Sequence, residues 1–397
     1  MTPSDLTRRH LLGRALAAGA LAPFASLAFA AAAKASDARF VFVILRGGLD
    51  GLSAVPAIGD ADFASARGPL AAFEQAPLAL DRTFALHPNL TQLHAMYGRS
   101  ELVVLHAVGL PYRDRSHFDA QQVLESGGVR PYELSSGWLA RALAPASVKS
   151  IAMSTAVPLV LRGPGAVDTW APSTLPDPSA DLVARLAQMY ADDPALALAL
   201  ERAKTLHFGN MPSDMAADMS GSKRYGNFGV LTQRAAEFLA QPAGPQAAVL
   251  EMGGWDSHAN QGNPAGALSN NLRQLDGGLA TLRDGLTPSG TWDRTVVLVA
   301  TEFGREVAVN GTLGTDHGTG GAAFVLGGAV NGGRVIADWP GLAKRDRFEG
   351  RDLKITTDLR AVMKSVLSDH LHVSAAALDN TVFPGSGGSA KLALLRG

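Results

Sequence analysis

Hydrophobic positions along this chain follow two rhythms. Short continuous apolar runs bounded by glycine-rich turns alternate with longer stretches in which apolar residues recur every three or four positions. Arg39 to Leu45 (RFVFVIL) and Thr295 to Thr301 (TVVLVAT) are of the first kind. Their β-branched and aromatic content marks strands buried on both faces of a parallel sheet. Leu102 to His106, Ser150 to Met153, Pro158 to Leu161, Ala247 to Met252 and Ala322 to Leu326 read as further strands. Helices are expected at Pro88 to Tyr97, over most of 178–245, at 266–285 and at Leu359 to His370, the last with capping groups in Thr356-Thr357-Asp358. No internal repeat interrupts the alternation, which predicts an α/β fold with a mostly parallel sheet. Residues 36–397 are expected to form a single domain.

The first 35 residues break this pattern. Thr7-Arg8-Arg9-His10-Leu11-Leu12 is a twin-arginine signal, followed by an alanine-rich apolar run to about Ala33 that contains Pro23. Ala28-Phe29-Ala30 and Ala33-Lys34-Ala35 offer cleavage sites, so the segment reads as a removable export signal rather than a membrane anchor. Twin-arginine export machinery is then an expected partner, with the product periplasmic or secreted and no stable membrane span after cleavage. Cleavage after Ala35 removes four basic residues and one acidic residue and leaves 362 residues with a net charge of −4. That balance excludes a nucleic-acid partner, which requires a basic surface. The chain has no cysteine, so disulfides, thiolate metal sites and cysteine nucleophiles are excluded, and any metal must take oxygen and imidazole ligands.

Acids and histidines follow several of the expected strands, and parallel strands bring their carboxyl ends to one edge, where α/β sheets bind ligands. Asp50, in Gly-Gly-Leu-Asp-Gly, is either a carboxylate ligand or an ordinary turn residue. Asp256 and His258 follow Gly-Gly-Trp; alternate residues of an extended segment face one way, so both suit one ion. Asn260 is a lesser candidate. Glu302 at a buried strand end needs a partner, either a metal or Arg305. Asp316-His317 lies in a Gly/Thr loop, with His317 the best single metal ligand. Tyr112-Arg113-Asp114-Arg115-Ser116-His117-Phe118-Asp119 is dense in chemistry. Arg113, Arg115 and Arg305 suit the oxygens of an oxyanion, and Ser116 is either a nucleophile or a helix cap. His87, His94, His106, His207, His370 and His372 are expected to be structural. The site residues are expected to converge, with Asp50, Ser116, Asp256, His258, Glu302 and His317 around one pocket.

The ordered set Leu-Arg-Gly-Gly-Leu-Asp-Gly, Arg-Ser-His-Phe-Asp-Ala-Gln, Gly-Gly-Trp-Asp-Ser-His, Thr-Glu-Phe-Gly-Arg and Gly-Thr-Asp-His-Gly-Thr-Gly, behind a twin-arginine start, resembles the DUF1501 family of exported bacterial proteins. The resemblance covers roughly 38–340. That family is related to the alkaline phosphatase and sulfatase superfamily. The resemblance implies an alkaline-phosphatase-like three-layer sandwich, its central mostly parallel sheet between helices and metals at the strand ends. It further implies a metal-binding role for Asp50, Asp256 and His317, and it places Ser116 where the superfamily has its nucleophile. Two departures stand out. The histidine after Asp256 comes two residues on rather than four, and Thr301-Glu302-Phe303 stands where the superfamily has Thr-x-Asp-His, leaving Glu302 as the replacement ligand.

These features predict an exported metal-dependent hydrolase of small-molecule or envelope phosphate or sulfate esters. The expected cofactor is one or more divalent ions: Zn, Mn, Mg or Ca. Attack is by Ser116 or by bound water. The alternative is a non-catalytic periplasmic or cell-envelope scaffold or binding protein that keeps a degenerate metallohydrolase fold.

Overall fold

The computed structural model describes residues 37–173, 178–208, 220–262 and 265–397. The export signal lies outside them. Residues Ala38–Gly397 form one compact unit.

Strand β1 (Arg39–Leu45) is buried at all seven positions because it lies in the middle of the sheet with a core on each face. Its side chains alternate between the two cores. Val41, Val43 and Leu45 enter one, while Phe40, Phe42 and Ile44 enter the other. This is why the segment reads as a continuous apolar run rather than an alternating one. A fully buried side chain of this size contributes about 1.5–3 kcal/mol, and β1 places three in each core.

The remaining strands of the sheet are β2 (Leu102–Gly109), β3 (Ser150–Ala152), β4 (Val167–Thr169), β5 (Ala247–Met252), β6 (Thr295–Thr301), β7 (Gly321–Leu326), β8 (Arg334–Ile336) and β9 (Thr357–Asp358). The order is β8-β2-β7-β6-β1-β5-β3-β4, with β9 also on β2. All pairings are parallel except those of β7, which runs antiparallel to both β2 and β6. The protein is therefore a mixed α/β fold with a large, mostly parallel central sheet flanked by helices.

The helices are α1 (Gly51–Ala54), α2 (Phe63–Arg67), α3 (Thr91–Gly98), α4 (His117–Ser126), α5 (Trp138–Leu143), α6 (Ala180–Met189), α7 (Pro194–Phe208), α8 (Ser220–Ala240), α9 (Ala267–Leu286) and α10 (Leu359–Leu371). One face of the sheet packs on α3, α8 and α9, through Leu93, Phe238, Leu272 and Leu279. The opposite face packs on α4, α5 and α10, through Val123, Trp138, Val362 and Val366. Asp358 caps α10 by accepting from Arg360 N, as the Thr356-Thr357-Asp358 start suggested.

The structure corrects one element. Pro158 to Leu161 is not a strand: Leu159–Leu161 is a 3₁₀ turn, closed by Leu161 N to Pro158 O at 3.0 Å. Its Val160 N donates to the Glu125 carboxylate at 3.1 Å, so a side chain satisfies the backbone where a sheet partner was expected.

Candidate metal centre

The parallel strands β1, β2, β5 and β6 end at one edge of the sheet, and each chain segment leaving that edge carries polar residues. Because β7 runs the other way, the segment that enters it, 314–320, lies at this same edge. That reversal delivers His317, which precedes its strand, to the residues that follow theirs.

His117, Asp256 and His317 each offer one ligand atom, and these atoms lie within 4.8 Å of one another. His117 Nε2 is 3.0 Å from His317 Nε2 and 3.4 Å from Asp256 Oδ1; His317 Nε2 is 3.2 Å from the same oxygen. A central ion at about 2.0–2.2 Å from each ligand spaces them roughly 3–3.5 Å apart. His258 borders the triangle, its Nε2 2.9 Å from Asp256 Oδ1 and 2.9 Å from His317 Nε2.

The second nitrogen of each ring explains the arrangement. His117 Nδ1 lies 2.8 Å from Glu302 Oε1, His258 Nδ1 3.1 Å from Asp316 Oδ1, and His317 Nδ1 2.9 Å from the Arg115 carbonyl. Carboxylates and carbonyls only accept, so each Nδ1 carries the proton. With Nδ1 so engaged, each ring turns its Nε2 into the cluster. Two pairs of such nitrogens meet at 2.9 and 3.0 Å, beside a carboxylate oxygen. Lone pairs at that distance repel unless a cation lies between them, either a proton or a metal ion. Histidines held in this way through Nδ1 are the usual form of metal-ligating imidazoles.

The electrostatics agree. Burial opposes ionisation of Asp256, but the Arg305 guanidinium at 2.7 Å overcomes it and draws the carboxyl down to about 2. Burial also opposes ionisation of Glu302, but the hydrogen bonds from His117, Gly47 N and Gln121 Nε2 together outweigh it and hold the carboxyl below its ordinary range. Asn310 and His258 hold Asp316 below the ordinary carboxylate range. The hydrogen bond to Glu302 raises His117, whereas burial lowers His317.

Backbone packing fixes these loops against one another. Gly47, at φ 120°, passes so close beneath the 255–256 peptide that a Cβ would lie 2.6 Å from Asp256 N. Gly304 faces the backbone of Gly320, and a Cβ there would meet its oxygen at 1.8 Å. The resulting short ribbon has Glu306 N donating to Asp316 O at 2.8 Å and Gly318 N to Gly304 O at 2.9 Å. Phe303 packs its ring at a tilt against His117 at 4.7 Å and against His317 at 5.1 Å, so the residue at the position where a histidine was expected buttresses two others.

The structure sorts the sequence candidates into three groups. Asp256, His258 and His317 meet. Glu302 and Asp316 stand one hydrogen bond behind, on the outer nitrogens of His117 and His258. Arg305, Arg113, Arg115, Asp50 and Ser116 have other work. Arg305 is buried and spends its guanidinium on Asp256, Thr315 and the Gly47 carbonyl. Arg115 pairs with Glu349 and, at 2.8 Å, with Asp352; it serves the cluster only through its carbonyl. Arg113 hydrogen-bonds the Leu110 and Tyr112 carbonyls. Asp50 caps α1 and is buried against Arg67, with Ser53 and Gln261 completing its shell, so no oxygen of it is left for the cluster. Ser116 caps α4 by accepting from Asp119 N. Asn260 donates its backbone N to Thr312 O and belongs to the loop frame.

The sequence pattern assigns no role to His117. The available signal was its place as the first residue of a helix capped by Ser116, directly after the segment leaving β2.

The DUF1501 family, described as a protein of unknown function, matches residues 103–381. No curated protein shows significant sequence similarity to the chain. Solved structures similar to it include a phosphonate monoester hydrolase of Agrobacterium radiobacter, at 13% identity, covering 85% of this chain and 74% of that one, with a TM-score of 0.40. A sulfatase from Pseudoalteromonas sp. is 13% identical over 83% of this chain and 67% of its own, with a TM-score of 0.38. A 2-O GAG sulfatase is 9% identical over 90% and 73%, with a TM-score of 0.42.

Proposed function

The chain belongs to the DUF1501 family, and on that premise we propose that its His–Asp cluster holds a divalent metal ion and that the protein is an exported hydrolase of phosphate or sulfate esters. The observation that carries the reading is the inward convergence of imidazole lone pairs, each fixed by an acceptor on the far nitrogen. His117, Asp256 and His317 would hold the ion, with His258 beside them. A nitrogen-rich donor set favours a zinc-like ion over magnesium or calcium, which prefer all-oxygen shells. Such an ion supplies Lewis acidity toward an ester oxygen.

The chain's own residues do the rest. Glu302, Asp316 and the Arg115 carbonyl fix the imidazoles, and Arg305 keeps Asp256 ionised and in place. The Asp256 and His258 side chains are nearly half exposed, which lets an ester reach them. In hydrolysis the oxygen of water bonds to phosphorus or sulfur, the ester bond breaks, and the departing oxygen takes a proton. Ser116 is occupied as a helix cap, so water supplies the attacking oxygen in this reading. Export by the twin-arginine route to the periplasm or beyond belongs to the same proposal and rests on Arg8 and Arg9.

Elemental analysis of the purified protein, paired with aryl phosphate monoester, diester and sulfate substrates, tests the proposal. Near-stoichiometric transition metal and turnover that is lost on chelation and restored by metal are expected. Protein that folds without metal, binds none and hydrolyses none of the esters would overturn it and leave the envelope-scaffold reading in front.

A further inference from the structure

Resting on that reading, we infer that the site selects singly charged esters bearing an apolar substituent over doubly charged phosphate monoesters. Asp256, Glu302 and Asp316 set three negative charges around the cluster, against one positive charge from Arg305. A divalent ion brings this group to neutrality, with nothing left to balance a second negative charge on a ligand.

Sites that bind phosphate dianions normally add guanidinium or ammonium groups to the metal. Arg46, Arg113, Arg115, Arg305 and Arg351 lie around this edge, and each already faces a carboxylate. Arg46 lies between Glu125 at 3.0 Å and Glu251 at 2.7 Å. Arg115 lies between Glu349 and Asp352, and Arg305 on Asp256. Arg113 donates to main-chain carbonyls and has the Asp358 carboxylate as its counter-charge, and Arg351 lies between Glu306 at 2.7 Å and Asp352 at 3.1 Å. A dianion would therefore leave its excess charge among fixed carboxylates in a partly buried site, where screening is weak. A monoanion leaves half as much.

Two exposed apolar side chains adjoin the segments that carry His117 and His258. Phe118, directly after His117, is 80% exposed, the most exposed large apolar side chain among the described residues. Leu313, 53% exposed, sits at φ 60° on the loop that pairs with Ala259, next to His258. Thus the segment carrying His117 and the loop paired behind His258 both present apolar surface to solvent, suited to an aryl or alkyl group on the ester.

The test compares phenyl phosphate with diphenyl phosphate at pH 8, above the second ionisation of a monoester near about 6. Binding to the metal-loaded, full-length protein is read by calorimetry, and hydrolysis of the matching nitrophenyl phosphate, bis-nitrophenyl phosphate and nitrophenyl sulfate is read by rate. Diphenyl phosphate is expected to bind at least about 10-fold more tightly, and both singly charged esters to exceed the dianion in kcat/KM by a similar factor. Phe118→Ala should raise the Kd for diphenyl phosphate several-fold with metal content unchanged, and Phe118→Tyr should restore it. Equal or tighter binding of phenyl phosphate, or a neutral ester such as nitrophenyl acetate outpacing both monoanions, overturns the inference. The calorimetric comparison stands even where no ester is hydrolysed, so failure of the charge selection is distinct from failure of the hydrolase reading, which metal content and turnover decide.

Discussion

Two carboxylates, Asp50 and Asp256, occupy equivalent places in the fold. Each follows a buried parallel strand and a Gly-Gly turn, and each carboxylate engages an arginine, Arg67 for Asp50 and Arg305 for Asp256. Their surroundings make them opposites. Asp50 is 1% exposed, and its oxygens accept from the backbone of α1, Ser53, Gln261 and Arg67. Asp256 has 45% of its side chain exposed, and the oxygen held by Arg305 also faces three imidazole nitrogens. The first carboxylate is a sealed structural joint and the second an open one. A strand-end acid in a glycine turn therefore marks the edge of the sheet without saying whether it holds the fold or meets a ligand. What separates the cases is how many donors already surround it.

The sharpest way to break this contrast is to remove each member in turn. Asp50→Ala strands a buried guanidinium and should cost about 3–5 kcal/mol in urea unfolding, with much of it recovered by adding Arg67→Met. Bound metal per folded molecule should stay constant. If Asp50→Ala instead leaves stability intact and strips the metal, the two carboxylates have been assigned the wrong way round.

His317→Ala addresses the open joint. Metal affinity should fall by more than about 100-fold, beyond the range seen for outer-shell changes, while the unfolding midpoint of the metal-free protein barely moves. Competition with a chelator measures the first and urea titration the second; unchanged affinity would remove His317 from the ligand set.

Glu302→Gln separates holding a ligand from being one. The amide oxygen still accepts from His117 Nδ1, so metal should bind about 10–100-fold more weakly rather than be lost. The pH response gives a second reading. Ionised Glu302 raises His117, so a proton competes with the ion from above the usual histidine range downward. Without that charge, the His117 titration in the metal-free protein, followed by NMR, should move to lower pH; a shift upward would contradict the role given to Glu302.

Ser116→Ala should have the smallest effect, about 1 kcal/mol of stability from the lost cap, with metal affinity and any ester turnover nearly unchanged. Abolished turnover with full metal content would make Ser116 the attacking group.

How much of this was legible in the sequence follows from length and distance. Arg39 to Leu45, Ala247 to Met252 and Thr295 to Thr301 were readable because each is a long apolar run. Val167–Thr169, Arg334–Ile336 and Thr357–Asp358 were not, being two or three half-buried residues whose pairing is decided by neighbours. Pro158 to Leu161 misled because an apolar run of that length suits a strand or a packed turn equally. In the site, the strand-end rule located Asp256, His258 and His317. It gave the edge but not the depth: that Glu302 and Asp316 hydrogen-bond the outer nitrogens of His117 and His258 was not readable from spacing. His117 was hidden by the serine before it.

The reversed strand β7 has a consequence for how the molecule acquires its function. His117 and His317 are 200 positions apart in the chain, and they meet only once β7 has inserted between β2 and β6. Closing a loop of that length is entropically uphill until the flanking strands reward it, and contacts of such range are slow to form. No early hairpin or isolated βα unit of this chain can present the two imidazoles together. Capture of a ligand here is accordingly a report that folding is complete. A metal ion bound there would tie the first third of the chain to its last quarter and so should lengthen the lifetime of the native state by a route that no single helix or strand provides.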